Sequence, residues 1–193
     1  MIQSAVSPEN IKDLVALART APPGNFVEVG VWKGGTAIEL YAICQEQGRS
    51  LHLYDSFRGM PVYTPGLDPF KLGSFMVDRN TPNELRQLMP EATLHVGIYP
   101  ATHTDDIRDV AFIHCDCDQY LSYRAVIDHM WPLVVPGGIM LFDDYPYLPG
   151  AKKAVDESFS AEELHQNGEH FYVMKDVMPD PIEEPLAVEN DVA

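Results

Sequence analysis

The sequence predicts an α/β fold on a mostly parallel sheet. Two observations carry that reading: helical and strand periodicities alternate along the chain, and the first strand runs into a glycine-bearing turn that opens a helix. The length of 193 residues suits one domain. A chain of this size buries about 70% of its unfolded surface, enough for a core without disulfides or structural metal. Hydrophobic residues make up 46% and charged residues 22%, the balance of a folded protein rather than a disordered one.

The first helix is expected from Ser7-Pro8, a capping residue followed by proline at the first helical position. It carries Ile11, Leu14, Val15 and Ala18 at helical spacing, and Pro22-Pro23-Gly24 breaks it. Phe26 to Val29 reads as a buried strand turning at Gly30. Gly34-Gly35-Thr36 opens a helix to about Gln47, closed by Gly48, and Leu51 to Asp55 is the second strand. Residues 56–80 are rich in Gly, Pro and aromatics with no period, and a connection that long reads as a lid. Thr81-Pro82-Asn83-Glu84 is read as a capping box for a short helix. Thr93 to Val96 is the third strand, ending at Gly97, and Val110 to Cys115 a strongly apolar fourth. A helix over roughly 121–134 is expected to stop at Pro136-Gly137-Gly138, ahead of a fifth strand from Ile139 to Phe142. A helix near 150–158 and a strand from His170 to Met174 complete a domain assigned to residues 1–175. Residues 176–193 hold six acids, three prolines and no Lys or Arg, and read as a flexible acidic tail.

The chain carries 13 basic and 29 acidic residues, a net charge of −16. Such a balance repels phosphate backbones and anionic lipid, so nucleic acid and membrane are not expected partners. No run approaches the ~18 apolar residues of a membrane span. The start, Met1-Ile2-Gln3-Ser4, has no basic leader, and three cysteines fit a reducing compartment. A cytoplasmic protein is expected; a homo-oligomer is left open.

Ligands of an open α/β sheet bind at the carboxyl ends of its strands. Here those ends are acidic: Glu28 before Gly30, Asp55-Ser56, Asp116-Cys117-Asp118 and Asp143-Asp144. Trp32 stands where a dinucleotide-binding turn needs its second glycine, which disfavours a nicotinamide enzyme. The Gly34-Gly35-Thr36 helix start instead suits the carboxylate of a nucleoside without phosphate, such as S-adenosylmethionine, with Asp55 spaced to receive ribose hydroxyls. The Asp pairs form an oxygen-only set of the kind Mg²⁺ or another divalent cation prefers. Strand alternation would point Asp116 and Asp118 into the cleft, with Cys115 and Cys117 packed behind; a soft-metal site on those thiols lacks ligands. His114, inside the apolar strand, reads as a core histidine. His103 is undecided, and Tyr120 directly follows the Asp pair.

These residues resemble the macrocin O-methyltransferase family, metal-dependent class I methyltransferases acting on sugar hydroxyls of glycosylated natural products. The resemblance rests on FVEVGVWKGGT (26–36), DSFRGMP (55–61), GIYPAT (97–102), FIHCDCDQY (112–120) and PGGIMLFDDYPYLPGAKKAVDE (136–157). It implies a three-layer, Rossmann-like sandwich with a seven-stranded sheet, and S-adenosylmethionine and Mg²⁺ as cofactors. Carried over by position, it implies that Glu28, Gly30, Gly34, Gly35 and Thr36 meet the methionine part. Asp55, with Ser56 beside it, would take the ribose, and Gly97 and Ile98 would lie near the adenine. Asp116, Asp143 and Asp144 become metal ligands, with Asp116 also bordering the cofactor. Asp144 is followed by Tyr145-Pro146-Tyr147 where some relatives carry a catalytic His, which leaves Asp118 as the base. The acceptor implied is a small hydroxylated molecule, a sugar or glycoside, with Tyr63 and Phe70 of the lid stacking on it. A catechol-like acceptor is the alternative enzyme reading. A non-catalytic S-adenosylmethionine-binding relative is the other, though such a module has no need of the second Asp pair.

Overall fold

Ser7 starts the chain's first helix in the computed structural model, which describes residues 2–177. Its Oγ accepts the Asn10 N–H at 3.2 Å, and α1 runs Pro8–Ala18 with Leu14, Leu17 and Ala18 buried. The strands β1 (Asn25–Val29), β2 (Leu51–Asp55), β3 (Thr93–Val96), β4 (Val110–Cys115) and β5 (Val134–Phe142) all run parallel. Helices α2 (Gly35–Gln47), α3 (Thr81–Leu88), α4 (Tyr120–Met130) and α5 (Pro149–Asp156) lie between and after them. β6 (Leu164–Asn167) and β7 (His170–Met174) form a hairpin whose second strand is antiparallel to β5. The seven strands stand in the order β3-β2-β1-β4-β5-β7-β6.

The sheet separates two cores, so the domain has three layers. Leu14, Leu40, Ile43 and Leu85 of α1, α2 and α3 pack with Phe26, Leu53, Phe112 and Leu141 on one face. Tyr123, Val126, Met130, Ala154 and Val155 of α4 and α5 pack with Val27, Ile113, Met140 and Phe142 on the other. Gly48 closes α2 as expected, in the left-handed conformation (φ 65°) with its N–H on the Cys44 carbonyl.

Three expectations need correction. The cap of α3 is Asn80, whose side-chain amide reaches Glu84 at 3.0 Å; Thr81 is already helical and buried, so the capping box does not form. The fourth helix ends at Met130, because Pro132 cannot donate to an α-helical ladder and Trp131–Leu133 tightens to a 3₁₀ turn. Its apolar face imitates a longer helix only because Val134 belongs to the next strand. Pro136-Gly137-Gly138 therefore lies inside β5, as an outward loop between the pairs Val110–Val134 and Phe112–Ile139. There Gly137 donates to the Lys175 carbonyl and Lys175 donates to Gly138. The strand β6, with few apolar residues, has no signal of its own in the sequence. The predicted acidic tail lies almost wholly outside the described residues.

Candidate active site

The carboxyl ends of β1, β2, β4 and β5 open into a cavity of ≈ 260 Å³. Gly30, Asp55, Ser56, Gly97, Ile98, Asp116, Asp118, Asp143 and Asp144 line it. Among the described residues, neither Lys nor Arg does.

Close packing of two turns builds its floor. Gly30 has φ 96°, and a Cβ there would sit 1.6 Å from the Asp116 carbonyl oxygen, so only glycine lets β1 and β4 turn this near each other. The Asp116 N–H bonds the Val29 carbonyl at 2.9 Å. Asp55 shapes the neighbouring turn: one carboxylate oxygen accepts the N–H groups of Val31 and Trp32, both at 2.8 Å, and the other accepts that of Phe57 at 2.6 Å. These bonds hold Trp32 in the left-handed region (φ 47°) with its side chain on the cavity wall.

The four acids differ in state. Asp118 is itself left-handed (φ 57°), and its N–H donates to Asp144 Oδ2 at 3.0 Å. The Tyr123 hydroxyl lies 3.0 Å from the same oxygen and accepts the Asp144 N–H at 3.1 Å. Burial, with the charges of Asp144, Asp143 and Asp55, pushes the Asp118 carboxyl up to about 8. Burial and the Asp143 charge push Asp144 up to about 6, and burial with Asp143 and Asp144 drives Asp116 well above the carboxylate range. Burial would raise Asp143 too, but the hydrogen bond and charge of His114 prevail and hold it below its ordinary value.

Not every expected residue reaches the cavity. Glu28 is fully buried, with Oε1 2.8 Å from His114 Nδ1, so its side chain stops short of the wall. Gly34, Gly35 and Thr36 are also off it: Gln3 pairs with Gly34, and a Cβ on Gly35 would meet Ser4 at 2.4 Å. The N-terminal segment thus covers the start of α2, and its Ala5 and Val6 line the cavity instead. Cys117 lines the cavity rather than packing behind, because β4 ends at Cys115 and strand alternation ends with it. His114 is buried as expected, yet its Nε2 is 3.5 Å from Asp143 Oδ1, and ligating atoms of His114, Asp116 and Asp143 lie within 4.8 Å of one another. Tyr120 turns away to Glu157, and His103 lies off the wall with its ring edge-on to Tyr99. Of the aromatics in 56–80, Phe75, packed edge-on against Phe70, lines the cavity; Tyr63 and Phe70, expected to stack on the acceptor, do not.

The 56–80 segment, expected to be a lid, is tied down. Gln119, fully buried, accepts the Val62 N–H and donates to the Phe70 carbonyl, both at 3.3 Å. Asp68 accepts from Tyr120 N–H at 2.8 Å and from Thr64 N–H at 2.5 Å.

A seven-stranded sheet with one antiparallel strand pair at its edge and a glycine turn beside acidic strand ends is the fold of the class I methyltransferases. A family model described as a methyltransferase domain matches residues 27–145, and the chain belongs to that family. It is 27% identical over 157 residues to mycinamicin III 3''-O-methyltransferase of Micromonospora griseorubida, covering 72% of this chain and 61% of that one. It is 28% identical over 141 residues to the 8-demethyl-8-(2,3-dimethoxy-alpha-L-rhamnosyl)-tetracenomycin-C 4'-O-methyltransferase of Streptomyces olivaceus, covering 64% and 53%. The chain thus spans just over half to three-fifths of the length of these relatives. The solved structure of the O-methyltransferase NovP superposes with a TM-score of 0.69 at 26% identity, covering 88% of this chain and 79% of that one. No helix among the described residues is long and apolar enough to cross a membrane.

Proposed function

We propose that the protein moves a methyl group from S-adenosylmethionine to a hydroxyl of a sugar or glycosylated small molecule, with a divalent cation, Mg²⁺, at the acidic end of the cavity. The observation that carries this is the wall itself: Asp55, Asp116, Asp118, Asp143 and Asp144 face one space with no basic side chain among the lining residues. Carboxylates that raise one another's proton affinity in this way fit a hard cation, whose charge removes the repulsion. Asp116, Asp143 and Asp144 would hold it. When bound, such an ion lowers the pKa of a hydroxyl it touches. The sugar assignment is supported by the tetracenomycin relative, whose name specifies a rhamnosyl group.

The remaining work belongs to the chain. Asp118 takes the proton of the acceptor hydroxyl; a group lifted to about 8 sits near the working pH of a general base. Tyr123 and the Asp118 N–H fix the Asp144 carboxylate in place. Phe75, Met60 and Pro61 cover the cavity and exclude water, so that donor and acceptor meet at about 3–3.5 Å without reorganisation.

Labelled S-adenosylmethionine offered with a panel of glycosylated acceptors, with and without EDTA, tests this reading. Cation-dependent transfer to a sugar hydroxyl is expected. A thermal shift with NAD but none with S-adenosylhomocysteine overturns the cofactor, and full transfer in EDTA overturns the cation.

A further inference from the structure

Glu28, His114 and His170 lie in β1, β4 and β7 and Asp143 directly follows β5, so the four come from consecutive strands of the sheet. Glu28 and His114 are register partners in the parallel pair, and Phe142 pairs with Phe171, which brings Asp143 opposite His170. Acid and imidazole therefore alternate across the sheet. Glu28 Oε1 is 2.8 Å from His114 Nδ1, His114 Nε2 is 3.5 Å from Asp143 Oδ1, and His170 Nδ1 is 3.8 Å from that same oxygen. At the far end His170 Nε2 lies 2.9 Å from the Asn10 carbonyl in α1. A carbonyl only accepts, so Nε2 carries a proton and the ring is pinned with Nδ1 toward Asp143. Glu28, His114 and His170 are all buried, and only Asp143 at the row's third place reaches the cavity.

Such a row is expensive as mere packing. Buried charges and imidazoles cost desolvation, and Glu28 Oε2 and His170 Nδ1 have no hydrogen-bond partner. What it does is fix one carboxylate. Ligands of a metal are oriented by hydrogen-bonded neighbours behind them, and losing one such neighbour lowers metal affinity about 10–100-fold. We infer that His114, braced by Glu28 and hydrogen-bonded to Asp143, is the positioning residue that aims the Asp143 carboxylate at the cation site, with His170, braced by the Asn10 carbonyl, flanking the same oxygen beyond hydrogen-bond distance. Neither touches the cofactor or acceptor; both act through Asp143. This rests on the cation site proposed above.

Amide side chains separate this role from a structural one, because Asn places its amide near Nδ1 of histidine and Gln near Nε2. His114→Asn keeps an amide toward Glu28 and vacates the Asp143 side; His114→Gln does the reverse. For His170 the pattern inverts: His170→Gln keeps the tie to Asn10 and vacates the Asp143 side, while His170→Asn faces Asp143. Mg²⁺ titration calorimetry of the four variants and wild type, without S-adenosylmethionine or acceptor, reads affinity directly, and thermal unfolding in EDTA reads stability. The expected result is a 10–100-fold weaker Mg²⁺ affinity in His114→Asn and a smaller loss, above about threefold, in His170→Gln. Their counterparts His114→Gln and His170→Asn should stay within about threefold of wild type, whatever each variant's unfolding temperature. Affinity that follows unfolding temperature rather than the face vacated overturns the inference, as does unchanged affinity in all four. Absence of Mg²⁺ binding by wild type overturns the cation site itself and this inference with it.

Discussion

Asp118→Asn sets catalysis and stability in opposition. A carboxyl whose folded pKa is raised, from its ordinary 3.8 to about 8, contributes stability that is complete below the lower value and is lost as pH climbs through the higher. Within that window each pH unit removes about 1.4 kcal/mol, so by pH 7 this one side chain costs the cation-free protein up to about 4 kcal/mol. Asn keeps the shape and carries no charge. With neighbouring acids free to share protons, Asp118→Asn is expected to stabilise the protein in EDTA at pH 7 by about 2–4 kcal/mol, or about 5–15 °C for a domain this size. The gain should shrink toward zero near pH 4. Methyl transfer should meanwhile fall about 10²–10⁴-fold, with excess Mg²⁺ unable to restore it, since Asn cannot take a proton. Urea unfolding in EDTA at three pH values and initial rates against Mg²⁺ concentration measure both. A variant less stable than wild type at pH 8 refutes the crowded-acid account. Rescue by Mg²⁺ makes Asp118 a ligand and moves the base elsewhere.

Gly30→Ala, whose Cβ would lie 1.6 Å from the Asp116 carbonyl, should cost about 3 kcal/mol or more and abolish S-adenosylhomocysteine binding. Gly48→Ala, left-handed but with nothing within 4 Å, should cost only about 1 kcal/mol; equal losses by urea unfolding would deny the close approach. If 56–80 closes over the cavity, trypsin should cut after exposed Arg58, Lys71 and Arg79, and cofactor plus acceptor should slow it. Gln119→Ala, which removes two hydrogen bonds of about 1 kcal/mol each, should speed cleavage after Lys71 about tenfold or more; an unchanged rate would mean the tether carries no weight. His52 and His95, whose ring nitrogens are 3.2 Å apart, are both held below the ordinary histidine value, chiefly by burial. A depressed histidine contributes stability present above its unfolded pKa and lost on acidification, so below about pH 6.5 this pair subtracts from a stability that Asp118 and Asp144 raise over the same range. His95→Gln should therefore gain stability relative to wild type as pH falls from 7 to 5, as read by urea titration; a difference that does not change with pH would refute the assignment.

The strands that make the sheet are legible because Phe26 to Val29, Leu51 to Asp55 and Val110 to Cys115 are short apolar runs stopped by glycine or acid, a pattern with no competing helical period. Where two apolar elements abut, legibility fails: Trp131 to Val134 extends the face of α4 in sequence while Pro132 ends it in space. The acids converge for a reason visible in one dimension, since parallel strands deliver all their carboxyl ends to one rim. What each acid touches is not visible there. Glu28 looks like a ligand-binding acid until its partner His114, 86 residues away, takes it into the core. The start of α2 looks open until Gln3 and Ser4, distant in sequence, lie across it. Both placements come from tertiary neighbours that no local pattern encodes.

Of the four acids at the centre, three are raised and one is held down, and that asymmetry has a physical use. Four equivalent carboxylates would share protons and repel one another, leaving no fixed point for an arriving ion. Asp143, ionised against His114, supplies that point. Asp144 is aimed by Tyr123 and by the backbone of Asp118, while Asp118 keeps its carboxyl out of those bonds and free to exchange a proton. A cation bound as proposed would displace protons from acids already facing it, and the repulsion among them would become affinity. The chain's −16 charge works in the same direction from a distance, concentrating cations around the molecule. A protein holding these acids only for structure would gain stability by replacing any of the three raised ones with its amide; retaining them makes sense under the proposed function, where a cation and a proton would be handled side by side.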